Sequence, residues 1–200
     1  MLVSGPSQAG KTEFTIKLVK NAAQMFTVPP KRIIWAYSMW QDSYKRLSAI
    51  PGLEMVQGVP TAEMLAQSDG PCLCVLDDLM AECSKDERLT AMFTRECHHL
   101  NLSVIHQVQN AFWSGLRTAR TNASYLVLFR SPGDKLGIRT LAYQLYPSNS
   151  KFLIQSYNDA CSAPYTYLLI DLTQQADDRI RLRTRIFEDE VCIVYLPKHL

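Results

Sequence analysis

The sequence predicts an α/β fold, with a largely parallel sheet flanked by helices and antiparallel strands added at its C-terminal end. Three observations predict it. Short apolar runs alternate with longer stretches of helical periodicity along most of the chain. A glycine-bounded turn at 5–12 separates a strand stub from an amphipathic segment. Three strand-like runs then follow one another after residue 164 with no helical stretch between them. At 200 residues and 47% hydrophobic composition, the chain is long and apolar enough for one domain with a sizeable core.

The elements follow in order. Met1–Ser4 is a strand stub, so short that this chain is expected to be truncated within or just before the first strand of a longer natural protein. Lys11 to Met25 reads as a helix, with Phe14, Ile16, Leu18, Val19, Ala22 and Ala23 on its apolar face. Pro29-Pro30 ends that unit, and Ile33–Tyr37 is the next strand. Trp40–Leu47 reads as a short helix, 51–60 as a loop holding a short strand, and Thr61–Gln67 as another helix. After the Asp69-Gly70-Pro71 turn, Cys72–Leu76 is an uninterrupted apolar run, the pattern of a strand buried on both faces. A helix over Asp86–His99, strands over Leu102–Val108 and Ser124–Phe129, and a helix over Asp134–Leu145 come next. The closing strands are Tyr165–Leu172, Ile180–Phe187 and Cys192–Leu196.

Gly5-Pro6-Ser7-Gln8-Ala9-Gly10-Lys11-Thr12 matches G-x-x-x-x-G-K-[ST]. The glycines let backbone N–H groups converge on phosphate oxygens, and the helix opening near Lys11 points its positive dipole end at the same anion. Lys11 supplies an ammonium to the β- and γ-phosphates, and the Thr12 hydroxyl ligates Mg²⁺. With a strand before it and a helix after it, this is the phosphate loop of a P-loop NTPase, and a single such domain is expected over 1–200.

The apolar run at 72–76 ends in Asp77-Asp78. A carboxylate at the C-terminal tip of a core strand faces the ligand crevice of an open α/β sheet. Asp77 is expected to hold the Mg²⁺ side of the site, and Asp78 to orient and polarise the attacking water. Leu102–Val108 ends in Gln109-Asn110, which brings the Gln109 amide near the γ-phosphate if that strand lies beside the other two. Arg117 and Arg120 lie between that strand and the next. An arginine placed there can serve a neighbouring subunit's phosphate.

Charge narrows the partners. The net charge is +2, so attraction to nucleic acid must come from a local patch. Arg179, Arg181, Arg183 and Arg185 alternate with apolar or neutral residues, which on a strand puts four guanidiniums on one face. Such a stripe is first of all a solvated strand face; it can also track a phosphate backbone, or meet Asp177, Asp178, Glu188, Asp189 and Glu190 of this chain or a neighbour. The six cysteines form no C-x-x-C pair, and Cys97-His98-His99 lacks a second ligand pair at zinc spacing, so reduced thiols are the simpler reading. There is no signal-peptide pattern and no apolar run near the roughly 20 residues a membrane span needs.

Several strings together resemble the genome-packaging ATPases of the FtsK–HerA superfamily, as carried by Maverick/Polinton-type elements and related double-stranded DNA viruses. They are GPSQAGKT at 5–12, IIWAYS and the nearby WQ within 33–41, LDDLM at 76–80, HHLNLSVIHQVQN at 98–110 and RTARTNASYLVLF at 117–129. LAYQLYP at 141–147, PYTYLLIDL at 164–172 and RLRTRIF at 181–187 complete the set. The resemblance implies an ATP- and Mg²⁺-dependent double-stranded DNA translocase that fills a preformed capsid. It implies a homo-oligomeric ring of roughly five or six subunits, a capsid or portal-vertex partner, and a place at the virion assembly site in the host nucleus or cytoplasm. It makes Gln109 the sensor at the strand end and Arg117 the arginine supplied in trans. Two departures stand out: Ser131-Pro132-Gly133-Asp134 where relatives often have Asn-Pro-Arg-Asp, and Leu100 where they often have a basic residue.

Two other classes share the phosphate loop. A small nucleotide or nucleoside kinase would show an arginine-rich lid and need no arginine in trans. A GTP-binding switch would need an N-K-x-D string, which this sequence lacks.

Overall fold

The computed structural model describes residues 1–67, 70–79, 87–97, 100–112 and 116–197. Its centre is a nine-stranded sheet built from β1 (Leu2–Ser4), β2 (Arg32–Tyr37), β3 (Leu53–Gln57), β4 (Cys72–Asp77), β5 (Leu102–Val108), β6 (Tyr125–Phe129), β7 (Tyr167–Asp171), β8 (Leu182–Thr184) and β9 (Ile193–Tyr195). The spatial order is β3-β2-β4-β5-β1-β6-β7-β8-β9. The strands from β3 to β6 in that order pair in parallel, and β7, β8 and β9 are added antiparallel. The fold is therefore the mixed α/β type that the apolar pattern predicts, with its antiparallel addition at the C-terminal edge.

Alternation along the strands sorts the core into two layers. Leu2, Ile34, Cys74, Leu76 and Leu126 face one side, where they meet Leu141, Leu153 and Ala160. Val3, Trp35, Val75, Ile105 and Val127 face the other, against Phe14, Leu18 and Val19. All six residues of β4 are buried. At about 1.5–3 kcal/mol for each large apolar side chain taken from water, that burial pins β4 in the interior of the sheet and so places Asp77 at its tip. Cys72 and Cys74 share one face and are buried thiols, as their spacing predicts.

Seven helices flank the described sheet: α1 (Lys11–Lys20), α2 (Ala22–Met25), α3 (Ala62–Ala66), α4 (Glu87–Ala91, running on through a π-helical turn at Met92–Glu96), α5 (Arg117–Asn122), α6 (Lys135–Leu145) and α7 (Ser150–Ala160). The single helix expected over 11–25 is divided at Asn21. Its Nδ2 donates to the Lys17 carbonyl at 2.8 Å, satisfying a helix-end acceptor where the chain turns. Asp42–Leu47 is a 3₁₀ helix. Thr61 caps α3 by accepting from the Met64 N–H at 3.2 Å.

One helix lies where the sequence assigned no element, and one expected strand is corrected. Residues 146–164 carry α7, whose Tyr157 hydroxyl donates to the Phe129 carbonyl at 3.0 Å and accepts from the Ser131 N–H at 2.9 Å, fixing the end of β6. The strand expected over 180–187 shrinks to β8, because Asp177 caps a 3₁₀ turn at Asp178–Ile180 and Arg185 takes a left-handed φ of 54°. The four-arginine face therefore does not form. Arg179 pairs with Asp177 at 2.7 Å, Arg181 with Asp178 at 2.6 Å and Arg183 with Asp171 at 2.6 Å. Three of the four guanidiniums are held by carboxylates of this same chain.

Candidate active site

β1 delivers the loop 5–12 between β5 and β6, and the Gly5 N–H donates to the Val108 carbonyl at 3.2 Å. Gly10 has a φ of 103°, a conformation that L side chains rarely adopt, and it opens α1. Gly5 is required for a different reason: a Cβ there would stand 2.7 Å from the Phe129 Cβ. With those two positions satisfied, the loop turns back tightly enough for Ala9 N–H to reach the Pro6 carbonyl at 3.2 Å. The first amides of α1 have no carbonyl four residues earlier within the helix, so they are available to an anion.

Lys11 crosses the mouth of this loop. Its Nζ donates to the carbonyls of Gly5 at 2.7 Å and Pro6 at 2.9 Å. Burial lowers its pKa, and the charges of Asp77 and then Asp78 work against that lowering. Both carboxylates therefore act on the same ammonium.

Thr12 points across the sheet to the tip of β4. Its Oγ1 stands 3.2 Å from Asp77 Oδ2 and 3.5 Å from Oδ1, and 3.3 Å from Gln107 Oε1 on the intervening β5. One hydroxyl proton thus faces three acceptor oxygens. Asp77 is 3% exposed, and burial pushes its carboxyl up to about 6 from an ordinary 3.8. Hydrogen bonds donated by Tyr44, at 3.0 Å, and by Thr12 restrain that rise. The Gln107 Nε2 is buried without a partner.

This donor set fits Mg²⁺. It is all oxygen, it is richer in acceptors than in protons, and it borders a buried carboxylate whose negative charge lacks a full counter-ion. No group of three or more His, Cys, Asp or Glu side chains able to hold a metal occurs among the described residues. The Cys97-His98-His99 cluster lies partly outside them, since His98 and His99 are not described.

Ser7 to Thr12, Asp77, Asp78, Gln107 and Gln109 line one cleft of about 950 Å³. Asp78 is exposed in that cleft at a φ of 54°, an uncommon backbone state for a residue with a side chain. Gln109 is exposed just past the end of β5. Arg117, by contrast, is exposed on the first turn of α5 and does not line the cleft. Arg120 is committed locally. It donates to the Ala111 carbonyl at 2.9 Å and lies over the Phe112 ring at 4.9 Å.

Sequence reasoning missed three side chains here. Gln107 was findable, because it is a polar residue near the end of an apolar strand, two residues before Gln109. Tyr44 reaches Asp77 from the 3₁₀ helix, 33 residues away, and no local pattern signals it. Tyr165 borders the loop from a segment just before β7, and its ring Cδ1 lies 3.4 Å from where a Cβ on Gly10 would sit.

Comparison with protein-family models and with curated protein sequences finds no match. Among solved structures, the chain is similar to the cytoplasmic domain of the Thermomonospora curvata type VII secretion ATPase EccC, with a TM-score of 0.55 and 13% sequence identity. The likeness covers 90% of this chain and 26% of that one, so the chain spans about a quarter of that structure's length. It is a likeness of fold, and it agrees with the mixed α/β P-loop architecture described above.

Proposed function

We propose that this chain is the ATP-hydrolysing subunit of a ring-shaped motor that drives double-stranded DNA into a capsid. The observation that carries the ATPase reading is the convergence of Lys11, Thr12 and Asp77, with Thr12 Oγ1 and Asp77 Oδ2 3.2 Å apart beside the phosphate loop. The fold likeness to a secretion ATPase supports the same reading. The DNA-packaging part rests on the resemblance carried by the strings between 33 and 187.

In this reading, the loop amides and Lys11 bind the β- and γ-phosphate oxygens, releasing Lys11 from the Gly5 and Pro6 carbonyls. Thr12 and Asp77 hold Mg²⁺, which when bound offsets phosphate charge. Asp78 orients a water in line with the γ-phosphorus and accepts its proton. The water oxygen bonds to phosphorus as the bond to the ADP oxygen breaks. Gln109, with Gln107 two residues before it on β5, reports whether the γ-phosphate is present. Arg117 projects from its own subunit toward a neighbour's cleft and stabilises charge on the transferring group there.

The partners are double-stranded DNA, further copies of the chain in a ring, and a capsid or portal-vertex protein at the virion assembly site in the host nucleus or cytoplasm. The test is the hydrolysis rate with ATP, Mg²⁺ and linear duplex, measured together with particle size. A motor shows DNA-stimulated turnover whose specific rate rises with protein concentration as rings form. A monomer whose specific rate ignores both DNA and concentration would contradict the motor and favour a small nucleotide kinase.

A further inference from the structure

β1 divides the cleft into two flanks. On one side, β4 and β5 bring Asp77, Asp78, Gln107 and Gln109 to the loop. That is the end suited to the terminal phosphate and the metal. On the other side lie β6 and β7, and the aromatic side chains there are mostly spent on packing. Phe14 contacts Phe129, Tyr167 and Phe187 with ring centroids 6.0, 4.8 and 5.4 Å apart, and all four rings are buried.

Tyr165 is the exception on that flank. It is 71% exposed, lines the cleft, and sits at a left-handed φ of 64° that carries its ring over Gly10. A bulky exposed aromatic in that backbone state is uncommon, and nothing about core packing calls for it. The other large exposed aromatic near the site, Trp40, lies on the Asp77 flank. It packs edge-on against Tyr37 and Tyr44 at 5.7 and 5.6 Å and does not line the cleft.

A triphosphate whose terminal oxygens meet Lys11, Thr12 and the Asp77 flank must leave the loop in the opposite direction. Its sugar and base then reach the Tyr165 side. We propose that the Tyr165 ring is the stacking platform for the nucleobase of the bound triphosphate. The proposal rests on the phosphate-site reading above and adds to it a residue that recognises the base end of the ligand. A planar ring face accepts any base, so Tyr165 contributes affinity for nucleotides as a class.

The test titrates the full chain, as wild type, Tyr165→Ala and Tyr165→Phe, with ATP and separately with inorganic tripolyphosphate, Mg²⁺ present throughout. Tyr165→Ala weakens ATP binding about tenfold, the scale of one base–aromatic stack, and leaves tripolyphosphate within about twofold. Tyr165→Phe keeps both affinities. Unchanged ATP affinity in Tyr165→Ala overturns the proposal, and so does an equal loss for both ligands, which would assign the ring to shaping the loop. If wild type binds neither ligand, the phosphate site itself fails and the platform falls with it. A wild type that binds tripolyphosphate and ATP equally overturns the platform alone.

Discussion

Replacing Asp77 by Asn should make the metal-free protein more stable while disabling its site. The carboxyl lies at about 6 against an ordinary 3.8 because it is buried. A group raised this way stays protonated in the folded chain after the unfolded chain has ionised. Its stability contribution is therefore fully present at low pH and is lost as pH climbs through about 6. At about 1.4 kcal/mol per pKa unit, the raised Asp77 pKa costs the folded state about 3 kcal/mol at pH 7.5 and about 1 kcal/mol at pH 4.5. Asn mimics the neutral carboxyl and does not carry that cost. Thermal melts in EDTA without nucleotide should then show Asp77→Asn melting roughly 5–10 °C above wild type at pH 7.5, with the gap closing toward pH 4.5. Adding Mg²⁺ and ATP should raise the wild-type melting point by more than the variant's. A variant no more stable than wild type at pH 7.5, or a gain that ignores pH, would refute the argument that Asp77 is a buried charge awaiting a cation.

Three further substitutions separate the roles. Asp78→Asn should bind ATP within about twofold of wild type and hydrolyse it about 10²–10⁴-fold more slowly in a steady-state phosphate-release assay; normal turnover would remove Asp78 as the base. Arg117→Ala should lose on the order of 10³-fold in turnover and recover activity in rings mixed with Lys11→Ala subunits that supply the arginine; no recovery on mixing would contradict action in trans. Tyr44→Phe removes the hydrogen bond that restrains the Asp77 pKa, so the acid limb of the Mg²⁺-ATPase pH profile should move up by about one unit. An unchanged limb would show that the Tyr44 hydroxyl only fills space.

What the sequence made legible was what is local. The phosphate loop is contiguous, and its glycine spacing is dictated by a φ of 103° at Gly10 and a close approach at Gly5, so the motif and the geometry are the same fact. Asp77 was legible because a strand buried on both faces has one place for a carboxylate, its tip. Gln107 was legible in principle as a polar residue near the end of an apolar strand and was overlooked in favour of the more terminal Gln109. Tyr44 and Tyr165 were not, since each arrives from a segment whose position depends on how the sheet closes. Helix α7 went unread because Leu153, Tyr157 and Ala160 set its apolar face among polar neighbours such as Ser156, itself buried. The arginine run misled because period two implies a strand only if the backbone stays extended, and Asp177 and Arg185 each break it.

The central claim is that Lys11 and the loop grip a triphosphate while Thr12 and Asp77 share its divalent cation. Titration calorimetry with ATP, with and without Mg²⁺, on wild type and Lys11→Ala tests it most directly. The account predicts a saturable heat for wild type that weakens at least about tenfold when Mg²⁺ is withdrawn, and none for Lys11→Ala. Wild type that gives no heat with ATP, or binds it equally well without the cation, would contradict it.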